Sequence, residues 1–293
     1  METKRRRPQR EKTRRRIAKE NCAPGFGEAL DFTCYTPTVL QSMLETWNRE
    51  HPNDRIVAND WLGVWTHLLN KNKHCSSESC LLGGNTKLKQ TVFSPAMPKS
   101  WNKNKNEWLD SNDILKVMKQ YETAHPDFEF LGPSPSDYDA QDGVGCVWEE
   151  LCKFDLAAWV RKGKTKFGVI FNLDPHTKGG SHWVAIFIHV KTQRIYFFDS
   201  TGARSTKRIR HFMDTVLQQS KALGTPFKMM QNYPVIHQRG NTECGIYALF
   251  FIIVMIQFGD DAGLFKNVFK NKLLSDKEIQ KFRHIFFNRP KSS

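Results

Sequence analysis

The chain has 293 residues, of which 39% are hydrophobic and 25% charged, a balance that supports a real globular core and excludes collagen-like, wholly disordered and disulfide-framework proteins. At roughly 100 to 200 residues per domain, this length allows one large domain or one domain with a substantial appendage. The formal charge of +14 is unevenly placed: residues 1–19 hold ten Lys and Arg against Glu2 and Glu11, so that stretch carries +8 and the rest of the chain +6.

With almost no apolar residue before Ile17, residues 1–20 are expected to form a basic tail that is disordered in isolation. Such a tail attracts nucleic acid without reading its sequence, or directs the chain to the nucleus. Cysteines at 22, 34, 75, 80, 146, 152 and 244 show no repeated short spacing, and no apolar signal segment opens the sequence. Together these predict an intracellular protein with mostly reduced thiols, at least one of which lacks an intramolecular partner.

Thr36 and Pro37 read as a helix cap and first turn, followed by Val39, Leu40, Met43, Leu44 and Trp47 at helical spacing. A second helix follows a cap at Asn59 or Asp60, with Trp61, Leu62, Trp65, Leu68 and Leu69 on one face. These stripes are read as the packing faces of a small N-terminal module. Residues 70–100 are polar and punctuated by Gly83, Gly84, Pro95 and Pro98, which predicts loop or linker and a domain boundary. His74, Cys75 and Cys80 fall there without a CxxC pair, so they are read as packing thiols and a surface imidazole, with no metal. The expected organisation is a tail over 1–20, a helical arm and linker over 21–98, and a core over 99–293.

Within that core, Ser111 is the expected cap of a helix carrying Ile114, Leu115, Met118 and Tyr121, and Gly132, Pro133 and Pro135 mark turns. Short, nearly continuous apolar runs at 167–173, 183–190 and 195–198 predict the centre of a sheet. Ser205 is expected to cap the next helix, which ends before Gly224, and 227–230 reads as a further strand. The apolar run Ile246 to Ile256 is a buried helix, about 11 residues long and too short to cross a bilayer.

Three of these elements carry a candidate nucleophile site. His182 precedes one strand, Asp199 ends the next, and Cys244 opens the apolar helix; antiparallel pairing would bring His182 to Asp199. A thiol becomes a strong nucleophile when an imidazolium and the positive end of a helix stabilise its anion. In that reading His182 activates Cys244 and later protonates a leaving amine, while Asp199 fixes the imidazole tautomer. Gln238, six positions before Cys244, could donate to an oxyanion beside the Cys244 backbone amide, and Asn241 could do the same from another loop geometry. Gly245 would leave space for a substrate backbone.

The strings Ser181-His182-Trp183, Phe198-Asp199-Ser200 and Gln238 followed at +6 by Cys244-Gly245 resemble the motifs of the ubiquitin-like-protein processing cysteine proteases, in the same chain order. Within that superfamily, Trp183 and residues 237–247 are most similar to the polyprotein-processing proteases of large DNA viruses such as African swine fever virus; adenovirus proteinase is a more distant likeness. The resemblance covers roughly residues 100–290. It implies an α/β cysteine-peptidase fold of the α+β type, with a central mixed sheet beside the Cys244 helix. It also implies a narrow channel for small residues, typically Gly-Gly, closed by Trp183 and faced by Trp108. Relatives often carry Asn where this chain has Asp199.

The implied function is maturation of viral structural polyproteins by cleavage after Gly-Gly, in the virion or host cytoplasm, with no cofactor. Removal of a ubiquitin-like modifier, acyl transfer on the same scaffold, and a non-enzymatic DNA-binding virion protein are the alternatives. The expected partners are a polypeptide substrate and, through the tail, nucleic acid; oligomeric state is left open. Gly179-Gly180, just before His182, is read as a flexible loop.

Overall fold

A computed structural model describes residues 19–25, 29–141, 143, 145–261 and 263–289. Residues 1–18, most of the expected basic tail, lie outside that set. The chain divides into two compact units, a smaller one ending at Phe93 and a larger one running from Ser94.

In the smaller unit, helix α1 (Pro37–Glu50) starts where Thr36 accepts a hydrogen bond from the Val39 amide, and α2 (Trp61–Lys71) starts where Asp60 accepts from Gly63. Leu40, Trp65, Leu68 and Leu69 close over Cys34, Tyr35 and Phe93 to make its core. The expected loop at 70–100 holds a third helix, α3 (Thr86–Val92), capped by Asn85.

The thiols depart from the expectation of a mostly reduced protein. Cys22 is joined to Cys34, Cys75 to Cys80 and Cys146 to Cys152, while Cys244 is free and buried. The pairs are separated by only 12, 5 and 6 residues, so local turns bring them together without the repeated spacing that marks a framework. His74, Cys75 and Cys80 form the group of potential metal-ligand atoms among the described residues, all within 4.8 Å of one another. The Cys75–Cys80 bond occupies two of its three donors.

The larger unit begins with α4 (Ser111–Ala124), then β1 (Phe128–Phe130), β2 (Ser134–Pro135), α5 (Glu149–Cys152) and α6 (Leu156–Arg161). Asp110 is the cap of α4, exchanging hydrogen bonds with Asp113 in a reciprocal box, so the helix starts one residue earlier than a Ser111 cap would give. Next come β3 (Lys166–Asn172), β4 (Trp183–His189), β5 (Arg194–Phe198), α7 (Lys207–Ala222), β6 (Lys228–Gln231), α8 (Cys244–Phe258), α9 (Asp276–Gln280) and α10 (Arg283–Phe286). Thr206, rather than Ser205, caps α7.

The strands form a mixed sheet in the order β1-β3-β4-β5-β6, with β2 also on β3; β3, β4 and β5 are antiparallel, and β1 and β6 join in parallel. Both faces are covered, which explains the unbroken apolar runs. Ile170, Ala185, Phe187, Tyr196 and Phe198 face α8, and Val169, Phe171, Ile186, Ile195 and Phe197 face α7. Eleven of the 15 residues of α8 are buried, so this helix lies in the core and its first residue is fixed by the packing of all the others. No helix among the described residues is long and apolar enough to cross a membrane.

Candidate active site

Antiparallel pairing of β4 and β5 sets Ala185 opposite Phe198, which leaves His182 and Asp199 at the same end of the two strands. His182 Nε2 lies 2.8 Å from Asp199 Oδ1. The sulfur of Cys244, the first residue of α8, lies within electrostatic reach of the same ring. Three residues from three elements therefore meet as the sequence reading expects.

Electrostatics at this junction favour a charged ring. Burial alone would lower the His182 pKa, but the hydrogen bonds and negative charges of Asp199 and Cys244 outweigh it and raise the value from 6.5 to about 9. An imidazole with such a value is protonated at neutral pH. It can stabilise a sulfur anion and hold the proton that a leaving amine requires.

Asp199 is itself held from several sides. Its Oδ1 accepts from the Thr201 amide and the Thr201 hydroxyl, both at 2.8 Å. Buried Asn232 clamps its backbone, accepting from the Asp199 amide at 2.9 Å and donating to the Asp199 carbonyl at 2.8 Å. The carboxylate cannot turn away from His182 without breaking the two bonds to Thr201, and Asn232 holds the backbone that carries it.

Gln238 is buried, and its side-chain orientation is fixed. Its Oε1 accepts from the Ser200 hydroxyl at 2.7 Å, and Nε2 donates to the Gly240 carbonyl at 3.0 Å. With the amide oxygen committed to Ser200, the nitrogen keeps one further N–H to offer. Asn241 is exposed on the bend before α8. The first amides of α8 have no carbonyl partner within the helix, so positive potential collects at Cys244.

Leu109 is central to the wall beside the nucleophile helix. A Cβ at Gly245 would sit 3.0 Å from the Leu109 side chain, so this glycine lets α8 pack closely against Leu109. Trp183 is buried, and its indole N–H donates to the Leu109 carbonyl at 3.0 Å; Trp108, next to Leu109 in the chain, is 41% exposed. Leu109 thus holds both the nucleophile helix and the tryptophan next to His182. The Gly179-Gly180 loop is also more constrained than a flexible hinge. Gly180 has φ +92°, and a Cβ there would meet Asn172 Nδ2 at 2.4 Å. Asn172 Oδ1 accepts from the Ser181 amide at 3.2 Å and sets the approach to His182.

Sequence reading does not single out Asn172, Thr201, Ser200, Asn232 or Leu109. Two weak signals were available: Thr201 two residues after an aspartate, and Asn232 ahead of Tyr233-Pro234, both places where short polar side chains bond to nearby backbone.

A thiol at a buried helix start beside an imidazole held by a carboxylate is the kind of arrangement cysteine peptidases use. Residues 164–289 match the model of the Ulp1 protease family, C-terminal catalytic domain. A protein of Acanthamoeba polyphaga mimivirus named as a thiol protease is 33% identical over 185 residues, covering 63% of this chain and 58% of the relative. The SUMO-1 cysteine protease of African swine fever virus is 32% identical over 130 residues, covering 43% of this chain and 46% of the relative. The chain therefore spans about half the length of these curated relatives in the matched regions. In structure, the crystallised African swine fever virus protease superposes with a TM-score of 0.63 over 92% of this chain and 96% of its own, at 20% identity, which shows a shared fold.

Proposed function

We propose that this chain is a thiol endopeptidase that cuts after small residues, typically Gly-Gly-X, and matures viral structural polyproteins. The observation that carries the proposal is His182 bonded to Asp199 and raised in pKa by Cys244 at the start of a buried helix.

In the proposed reaction the Cys244 sulfur attacks the scissile carbonyl carbon, and the resulting oxyanion is received by the Cys244 amide and the free N–H of Gln238. Protonated His182 gives its proton to the leaving amine, and the C–N bond breaks to leave a thioester. Water, deprotonated by His182, then releases the acid and the free thiol. Asp199 steadies the ring and its charge throughout. Crowding by Trp183 and Leu109 beside the sulfur supports selection of residues without side chains before the cut.

Offering a Gly-Gly-X peptide, a ubiquitin-like precursor and an acyl donor with an amine acceptor to the folded protein tests this reading. Hydrolysis of the peptide with the highest kcat/KM is expected. Failure to cut Gly-Gly peptides, with turnover of either other substrate, would replace polyprotein processing by deconjugation or acyl transfer.

A further inference from the structure

Directly before Cys244 lies a buried ion pair that the proposed chemistry does not use. Glu243 and Arg283 are each 2% exposed, and Arg283 Nε donates to Glu243 Oε2 at 2.9 Å. The remaining nitrogens of the guanidinium reach further. Nη1 donates to the Glu107 carbonyl at 2.8 Å, Nη2 donates to the Thr242 carbonyl at 3.1 Å, and the planar group lies 4.7 Å from the centre of the Trp101 ring.

Those contacts join two separate parts of the site. Thr242 and Glu243 form the turn into α8, where Glu243 occupies the cap position without making a side-chain cap. Glu107 leads into Leu109, which packs on Gly245 and receives the indole N–H of Trp183. One planar fork thus ties the residues before the sulfur to the strip that holds the tryptophan beside the imidazole. Gln280 reinforces the same tie, donating to Asn106 Oδ1 at 2.7 Å and to Glu243 Oε1 at 3.4 Å.

A buried pair of charges is poor evidence for stability, because desolvation consumes most of the attraction and an apolar replacement is often as stable. The two backbone carbonyls distinguish this arrangement. Only a guanidinium presents enough donors in one plane to hold a carboxylate and two carbonyls from different segments at once. We propose that Arg283, acting through Glu243, Thr242 and Glu107, is a positioning residue that fixes Cys244 and the Trp183–Leu109 wall relative to each other. This rests on the peptidase reading for its kinetic consequence, but its effect on the sulfur is independent of substrate.

The test uses the full chain with Arg283→Met, Arg283→Lys and the double variant Glu243→Gln with Arg283→Met. Three quantities are read: melting temperature, kcat and KM on the Gly-Gly-X peptide, and the rate at which iodoacetamide alkylates Cys244. Arg283→Met leaves a lone buried carboxylate and is expected to lower the melting temperature. The double variant removes both charges and is expected to recover it. The rates should not recover with it: in the double variant kcat stays at least tenfold down with KM changed less than threefold, and alkylation stays several-fold slow, because the link from Glu107 to Thr242 is still missing. Arg283→Lys, with charge but no fork, should resemble the double variant in rate. A double variant that folds and regains both wild-type kcat and wild-type alkylation would show a purely structural pair and overturn the proposal. If the wild-type chain cuts no Gly-Gly peptide, the peptidase reading fails by itself, and slowed alkylation in the double variant still decides the role of Arg283. Should Arg283→Met not fold, the double variant and Arg283→Lys carry the same decision.

Discussion

Strand β4 is bracketed by two histidines that make the same contact with opposite electrical results. His182 Nε2 is 2.8 Å from an Asp199 oxygen, and His189 Nε2 is 2.8 Å from an Asp260 oxygen. At the first, Asp199 and Cys244 together overcome burial and hold the ring near 9. At the second, burial dominates, Lys166 and Lys191 oppose the charge further, and the pKa falls below 6.5. The aspartates differ as well: the Asp199 side chain is 3% exposed, whereas that of Asp260 is 68% exposed and shares its charge with Lys166. His189 also accepts at Nδ1 from the Thr192 amide, which the neutral ring alone can do. A histidine–aspartate pair therefore does not by itself make an acid–base centre. The nearby Cys244 sulfur, and the dry, clamped carboxylate, make the difference.

Breaking the first pair should be far costlier to turnover than breaking the second. Cys244→Ala is expected to lower kcat by about 10⁴-fold or more while the melting temperature moves by only a few degrees, since alanine fits the helix start. Activity near that of wild type would remove Cys244 from the reaction. Asp199→Asn should cost about 10²- to 10⁴-fold in kcat, since its amide cannot support the imidazolium. The alkaline limb of kcat/KM tests the same residue by position: it should lie near pH 9 in wild type and at lower pH in Asp199→Asn, because the stronger of the two partners that raise His182 has lost its charge.

At the other end of β4, His189→Gln should leave kcat within about threefold and cost about 1–3 kcal/mol of stability from the lost buried contacts. Its pH signature has a defined sign. The folded pKa lies below 6.5, so the unfolded chain binds more protons and stability present above 6.5 is lost as pH falls through the folded value. In His189→Gln that part of the acid sensitivity should vanish, which melting curves between pH 5 and 7 would read. Deleting residues 1–19 should change peptide hydrolysis least of all, while weakening salt-sensitive binding to DNA; unchanged DNA retention would defeat the basic-tail expectation.

Much of this contrast can be read in the sequence, though not its cause. The three central strands and the apolar helix are written in runs of β-branched and aromatic residues, and His182, Asp199 and Cys244 stand at their ends. Helix α3 is hidden because Thr86–Val92 has no apolar stripe and starts from an asparagine in a polar stretch. Strand β1 is only three residues long and pairs with β3, far along the chain. Cap positions at Asp110 and Thr206 were displaced by one residue because each adjoins a second residue able to cap. Gly245 and Gly180 show the deeper limit. What a glycine is for depends on the neighbour that fills its missing Cβ, here Leu109 and Asn172, and no local pattern names that neighbour.

The two histidines can be titrated separately by NMR in the wild-type chain and in Cys244→Ala. The account predicts that His182 titrates near 9 in wild type and at clearly lower pH once the sulfur is removed, while His189 stays below 6.5 in both. A His182 value near 6.5 in the wild-type chain, or one that does not respond to Cys244→Ala, would contradict it.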